Sequence, residues 1–239
     1  MTPDVSIVVP VFNETGNVGP LAREIAAAFA GQAYEMIFVD DASTDSTRAD
    51  LIALKAELPS LRVLSHQRNS GQSRSVRTGI LAARASIVVT MDGDGQNDPA
   101  DAPRLAARLL ASPDQVALVG GQRVKRQDSL AKKFASKVGN GVRKRLLKDG
   151  AADTGCGLKA FRREAFLRLP YFDHIHRYLP ALMIREGYQV AFEPVGHRAR
   201  MAGASKYTNL GRLWASLSDL LGVMWLNSRS RLPGSVAED

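Results

Sequence analysis

The sequence contains one cysteine in 239 residues, Cys156, so no intramolecular disulfide can form and a reducing compartment is the expected setting. It also lacks a long apolar run. The longest, Leu213 to Leu226 (LWASLSDLLGVMWL), is 14 residues and carries Asp219, short of the roughly 20 apolar residues that cross a bilayer. The first ten residues, MTPDVSIVVP, have neither the basic flank nor the apolar core of a secretion signal. Internal repeats and low-complexity linkers are missing too. With 45% hydrophobic residues the chain can bury one sizeable core, which excludes disordered, fibrous and peptide-hormone classes.

Acid is scarce in one region. The formal net charge is +8, yet residues 1–120 hold 10 basic and 14 acidic side chains while residues 121–200 hold 18 and 7. Between Arg123 and Lys148 ten Lys and Arg accompany a single acid, Asp128. Such a local excess implies an anionic partner: nucleic acid, a phospholipid surface or a phosphorylated substrate.

Short apolar, β-rich runs alternate with helical patterns. Ser6–Val11, Met36–Asp40, Arg62–Ser65, Ser86–Met91 and Val116–Gly120 read as strands, and Asn17–Ala30, Ser46–Glu57, Gln72–Ala83 and Asp98–Ala111 as helices. Asp98 followed by Pro99 is an N-cap with proline at the first helical position. Strand then helix, four times over, predicts an α/β fold with a mainly parallel sheet between helices. Farther along, Leu130, Phe134, Val138, Val142 and Leu146 recur every four residues, as on a basic amphipathic helix. A strand at Gly157–Phe161, a helix near Arg177–Glu186, a strand at Gln189–Glu193 and a polar loop to Tyr207 follow.

In an open sheet of this kind ligands bind beyond the carboxyl ends of the strands. Three such ends are acidic: Asn13-Glu14, Asp40-Asp41 and Asp92-Gly93-Asp94-Gly95-Gln96. Two carboxylates one residue apart, with a glutamine oxygen after them, are hard-cation ligands suited to Mg²⁺ or Mn²⁺. The competing reading is a solvated acidic turn capping the next helix, a role that Asp98 already fills.

VVPVFNE, VDDASTDST, NSGQSRSVRTG and DGDGQNDP, in that order and spacing, resemble the family 2 nucleotide-sugar glycosyltransferases. DTGCGLKAFRRE, HRYLPAL and RMAGASKY resemble their polyprenyl-phosphate branch, the dolichol-phosphate mannosyltransferase type, so the resemblance spans nearly residues 5–226. It implies a GT-A fold over 1–208, an amphipathic C-terminal helix over 209–227 and a flexible tail over 228–239. It also implies inverting sugar transfer from a GDP- or UDP-sugar to a polyprenyl phosphate, by a peripheral protein at the cytoplasmic membrane face. Matched position by position, Pro10, Phe12, Glu14 and Asp41 fall in the nucleoside pocket, and Asp92, Asp94 and Gln96 on the metal that holds the diphosphate. Arg123, Lys132 and Ser136 match the acceptor-phosphate positions, although the branch more often has arginine where Lys132 stands. Arg200, Ser205 and Lys206 match a late basic element that closes over phosphates, with Lys206 on the donor side. Asp94, Arg123 and Arg200 are the expected catalytic set.

Two other classes fit parts of the sequence. An aspartyl-phosphate phosphotransferase would use a strand-end Asp-x-Asp as nucleophile and acid. A basic membrane- or nucleic-acid-binding module would use residues 123–148, but the three acidic strand ends would repel a nucleic acid, and no nucleic-acid partner is expected. Finally, Leu210, Leu213, Trp214, Leu217, Leu220, Leu221, Met224 and Trp225 form a stripe of period 3.6. Such a stripe packs on its own domain, on the mate in a homo-oligomer, or in a membrane interface, where tryptophan and cationic side chains favour the boundary.

Overall fold

A computed structural model describes residues 2–124, 141, 143, 145–151, 153, 155–198 and 209–234, with side chains in the last segment from Leu217 onward. The expected sites at Lys132, Ser136, Arg200, Ser205 and Lys206 lie outside the described residues. So does most of the expected basic helix, of which residues 141, 143 and 145–147 are described and helical.

Among the described residues the strands are β1 (Val5–Val11), β2 (Tyr34–Asp40), β3 (Leu61–Ser65), β4 (Ile87–Thr90), β5 (Val116–Arg123), β6 (Lys159–Arg162) and β7 (Gln189–Val195). The helices are α1 (Val18–Ala28), α2 (Thr47–Leu54), α3 (Gln72–Ala82), α4 (Ala102–Leu110), α5 (Arg163–Leu167), α6 (Leu179–Arg185) and α7 (Asn209–Ser228). The strands form one sheet in the order β3-β2-β1-β4-β6-β5-β7. Only β6 runs antiparallel, between β4 and β5. Six strands therefore end, and β6 begins, on a single edge of the sheet.

The period-2 alternation of β1 explains why the sheet is covered on both faces. Val5, Ile7, Val9 and Val11 point to one core with α1 and α4, through Leu21, Ile25, Leu105 and Leu109. Val8, Ile37 and Val39 point to the other, with Val76 and Ile80 of α3, Phe166 of α5, Leu182 of α6 and Val223 of α7. Pro10 sits in the middle strand of the parallel half without loss, because pairing to β4 stops at Val8↔Thr90.

Gly79 marks the closest approach of α3 to the sheet: a Cβ there would lie 2.4 Å from Val8 Cγ1 and 3.2 Å from Val39 Cγ2. Alanine gains about 1 kcal/mol of helix propensity over glycine, whereas overpacking a tight core costs about 1–3 kcal/mol. Both contacts are β-branched side chains of the sheet itself, so the steric cost is expected to win. Gly79→Ala should lower the unfolding free energy by a net of up to ~2 kcal/mol, read as a lower urea midpoint with an unchanged m-value.

Most sequence boundaries move by one to three residues, and three of the shifts have a cause in the local bonding. The strand expected at Gly157–Phe161 is Lys159–Arg162, because the Gly157 carbonyl accepts from Thr90 Oγ1 (3.0 Å) instead of joining a ladder. Helix α2 stops at Leu54 rather than Glu57, because Lys55, Ala56 and Glu57 N bond back three residues, to Ile52, Ala53 and Leu54 O (3.2, 3.4 and 3.1 Å), and the last turn tightens out of the α pattern. The helix expected near Arg177–Glu186 divides into a 3₁₀ turn, Ile175–Arg177, and α6, which has Pro180 in its first turn.

Candidate active site

The loops after β1 and β2 are stitched together across the edge. Asn13 N donates to Ser43 Oγ (2.9 Å), Thr44 N to Asn13 Oδ1 (2.7 Å) and Glu14 N to Thr47 Oγ1 (2.8 Å). These bonds hold Asn13 (φ 52°) and Ala42 (φ 61°) in the left-handed region, where a side chain is costly without such support. Glu14 Oε2 accepts from Asn17 Nδ2 (2.7 Å), which closes the turn into α1. Asp40 is buried and accepts from Ser43 N (3.2 Å), the work of a strand-end structural acid.

Asp41 is buried too, and its carboxylate is the hub of the third loop. Oδ1 accepts from Ser70 N (2.9 Å) and lies 2.7 Å from His66 Nδ1, and Oδ2 accepts from Gly71 N (2.8 Å). Gly71 takes φ 86°, which suits glycine, and opens α3. The next residue, Gln72, reaches the end of β4 and donates Nε2–H to Asp92 Oδ1 (2.8 Å).

The Asp-x-Asp turn is built just past β4. Asp92 N donates to Asn97 Oδ1 (2.9 Å) and Gln96 N to Asp94 Oδ1 (3.1 Å), so the turn folds on its own side chains. Gly93 lets it cross the end of β1, since a Cβ would sit 2.6 Å from Val11 Cγ1. From the other side Gly157 presses on the Asp92 carboxyl, where a Cβ would come within 2.3 Å of Oδ2. Burial and the neighbouring Asp94 charge push the Asp92 pKa up to about 6, against the pull of Lys159, Arg123 and the Gln72 hydrogen bond. Asp98 caps the following turn as expected, accepting from Ala100 N (3.0 Å).

Positive charge flanks this pair. Lys159 is buried, and its ammonium donates to the Cys156 carbonyl. Burial lowers its pKa, opposed by Cys156, Asp92 and Asp153. Arg123, the last residue of β5, donates Nε–H and one Nη2–H to the two oxygens of Asp153 (2.6 and 2.8 Å), with side chains 13% and 10% exposed. Burial acts against its charge, but the Asp153 bonds prevail and raise its pKa. One edge of the guanidinium fork is thus engaged, and among the described residues no hydrogen bond takes up Nη1, the edge that could meet a second oxyanion. On the opposite flank Arg198 N donates to Gln96 O (3.0 Å), and its guanidinium binds Asp98 (2.7 Å) and Glu24 (2.6 Å).

His176, from the HRYLPAL stretch, is half-buried with Nδ1 2.7 Å from Ser73 Oγ of α3. Burial, then Arg177, Lys159 and His174, hold its pKa well below the usual range, so it is neutral at pH 7. Arg143, from the basic segment, does not face solvent. It is buried over the Tyr178 ring and 2.7 Å from Asp149.

The Asp92–Asp94–Gln96 turn offers only oxygen donors, and Asp92 is a carboxyl whose charge is uncompensated enough to raise its pKa. Both features fit a hard divalent cation. Among the described residues no cluster of three or more His, Cys, Asp or Glu forms a closed cage. An ion here would complete its shell with water or substrate phosphate, as Mg²⁺ commonly does.

The structure brings Pro10, Phe12, Glu14, Asp41, Asp92, Asp94, Gln96 and Arg123 to one sheet edge. Sequence reasoning gave no role to Gln72, His66 or Asp153, which tie these residues together. Gln72 lies in NSGQSRSVRTG and Asp153 opens DTGCGLKAFRRE, two stretches that carry the family resemblance, which was the one signal in the sequence pointing to them.

An acidic, oxygen-rich sheet edge with a guanidinium beside it is suited to a hard cation and a phosphorylated ligand. The family described as "Glycosyl transferase family 2" matches residues 6–169, and the chain belongs to that family. It is 35% identical over 237 residues to dodecaprenyl-phosphate galacturonate synthase from Rhizobium johnstonii, covering 97% of this chain and 69% of that protein. It is 34% identical over 207 residues to undecaprenyl-phosphate 4-deoxy-4-formamido-L-arabinose transferase from Klebsiella pneumoniae, covering 85% of this chain and 62% of that one. Glucosyl-3-phosphoglycerate synthase from Mycobacterium tuberculosis, crystallised with Mn²⁺, UDP and glucosyl-3-phosphoglycerate, superposes with a TM-score of 0.71 at 19% identity, covering 97% of this chain and 82% of that one. The fold is therefore GT-A-like and the chain is a glycosyltransferase, which removes the phosphotransferase and non-enzymatic alternatives.

Proposed function

We propose that this chain transfers a sugar, with inversion, from a nucleotide-diphosphate sugar to a polyprenyl phosphate at a membrane surface. The observation that carries this reading is the juxtaposition of the Asp92–Asp94 turn with the Arg123–Asp153 fork at one sheet edge. The names of the two curated relatives support the acceptor class, and the ligands of the M. tuberculosis enzyme support the donor class.

In this reading Asp41 accepts from the base, with Pro10, Phe12 and Glu14 around the nucleoside. Asp92, Asp94 and Gln96 hold Mg²⁺ or Mn²⁺, which when bound supplies positive charge to the leaving diphosphate. Gln72 fixes the rotamer of Asp92. Arg123 keeps Asp153 on one edge and takes the acceptor phosphate on the other. By resemblance alone, Lys132 and Ser136 are assigned to the same acceptor phosphate and Arg200 and Lys206 to the phosphates as a late basic element. A phosphate acceptor is already an anionic nucleophile near neutral pH, so positioning and charge neutralisation suffice without a general base. A thermal-shift panel of UDP- and GDP-sugars tests the donor half: stabilisation should require both nucleotide and Mn²⁺. Stabilisation by nucleotide alone, unchanged by Mn²⁺ or EDTA, would contradict it.

Helix α7 supports the membrane half. Leu220, Val223, Met224 and Leu226 pack on the domain, and Asp219 lies 2.7 Å from His174 Nδ1. On the opposite face Leu217, Leu221 and Trp225 are 47%, 58% and 59% exposed. An apolar row outside the packed face is what an interfacial helix inserts among headgroups, and Arg229, 5.9 Å from the Trp225 ring, sits at its end. No helix of the described residues is long and apolar enough to cross a membrane. Replacing Leu217, Leu221 and Trp225 with serine together should cut binding to anionic vesicles at least ~10-fold and leave nucleotide affinity and Tm unchanged. Unchanged vesicle sedimentation would contradict the assignment.

A further inference from the structure

We infer that His66, backed by Thr78, is a positioning residue that sets which nucleobases the donor pocket accepts. The inference rests on Asp41 as the base-contacting carboxylate. His66 follows β3 directly, and its backbone N donates to Asp40 O (2.8 Å), which fixes the residue beside Asp41. Its ring spans two elements: Nδ1 is 2.7 Å from Asp41 Oδ1, and Nε2 is 2.9 Å from Thr78 Oγ1 on α3. The His66 and Asp41 side chains are 16% and 5% exposed, so the contact is made largely away from water.

Counting lone pairs shows what this achieves. Each carboxylate oxygen accepts two hydrogen bonds. Oδ1 has Ser70 N–H and His66 Nδ1–H, and is full. Oδ2 has Gly71 N–H, and among the described residues one acceptor place remains there. Because Asp41 is surrounded by donors, the imidazole proton sits on Nδ1, and Thr78 holds the ring in that orientation. The carboxylate is left with one fixed acceptor at one oxygen. A base that offers a ring N–H, such as uracil or guanine, satisfies it. Cytosine and adenine place an acceptor nitrogen at the corresponding ring position and would face oxygen with a lone pair, leaving buried polar atoms unpaired. Without His66, Oδ1 regains a free acceptor site, the carboxylate can rotate, and water can bridge to the wrong base.

The experiment measures Kd by calorimetry for UDP, CDP, GDP and ADP in the presence of Mn²⁺, on the full chain. Wild type should bind UDP or GDP at least ~10-fold tighter than its CDP or ADP counterpart. His66→Ala should shrink that ratio about tenfold, mainly by weakening the preferred nucleotide. His66→Asn, whose Nδ2–H occupies nearly the position of Nδ1–H, should restore most of it, whereas His66→Gln should not. Thr78→Val keeps shape and removes the hydroxyl, and should shrink the ratio about threefold. Equal weakening of all four nucleotides by His66→Ala, or failure of His66→Asn to rescue, would assign His66 a purely structural role and overturn the inference. A wild-type chain that binds none of the four would instead refute the nucleotide pocket itself. If His66→Ala does not fold, the Asn, Gln and Thr78→Val series decides the matter.

Discussion

Asp92→Asn is expected to make the ligand-free protein more stable at pH 7–8 while reducing sugar transfer at least ~100-fold. The two effects have one cause. Asp92 is held between Gly157 and the Gln72 amide, half-buried with Asp94 beside it, and its pKa rises from 3.8 to about 6. A carboxyl whose folded pKa is raised makes the fold less stable when ionised. The penalty is absent below about pH 4, where both folded and unfolded states are protonated. It grows between about pH 4 and 6 and is constant above, where both states are ionised. A shift of roughly two units corresponds to about 3 kcal/mol, or several degrees of Tm in a chain of this size. Asparagine keeps the shape and can retain one oxygen for Gln72, yet carries no charge to place against a cation. The gain in Tm should therefore be full above pH 6 and vanish near pH 4. An Asp92→Asn chain less stable than wild type across pH 5–8, or one that retains transfer, would contradict this account.

Arg123→Lys should lower kcat/KM for the polyprenyl phosphate by a factor of about 10–100, with kcat falling as well and nucleotide Kd little changed. Lysine keeps the charge but has no fork: it can satisfy Asp153 or a phosphate, not both along two parallel edges. The Arg123–Asp153 pair is mostly buried, so Arg123→Ala would also remove the bidentate partner of Asp153 and cost about 3–5 kcal/mol of stability, which makes lysine the cleaner probe. Titration of acceptor at saturating donor separates the cases. A loss confined to donor affinity would move Arg123 to the diphosphate side, and unchanged kinetics would make the Asp153 pair purely structural.

How much of this was legible in the sequence depends on whether a feature is local. The parallel strands β1, β2 and β4 are buried on both faces, so their β-branched runs stand out, and the polar residues after them locate the binding edge. Asp98-Pro99 is a local cap signal and forms one. The antiparallel β6 gives no such signal. About 35 residues separate it from β5, its glycines serve contacts with Asp92 and Arg123 rather than a turn, and nothing short-range reports its direction. The same holds within the site. Asp41, Asp92 and Asp94 announce themselves as strand-end acids, but Asp41 meets His66 25 residues away, Asp92 meets Gln72 at a separation of 20, and Arg123 meets Asp153 at 30. Those partners are ordinary polar residues until the fold closes. Arg143 shows the converse: it belongs to a run of positive charge that implies an anionic partner, yet it is buried against Asp149 and Tyr178 within its own fold.

The central claim is metal-dependent transfer of a sugar to a polyprenyl phosphate through the Asp92–Asp94 edge. Mass spectrometry of the lipid fraction after incubation with a short polyprenyl phosphate, Mn²⁺ and a panel of UDP- and GDP-sugars tests it most directly. The expected result is a polyprenyl phosphate heavier by one glycosyl residue with one equivalent of nucleoside diphosphate released, and loss of both with EDTA or in Asp94→Ala. Glycosylated lipid formed equally well by Asp94→Ala in EDTA, or no glycosylated lipid from any donor alongside a phosphorylated Asp92, would contradict it.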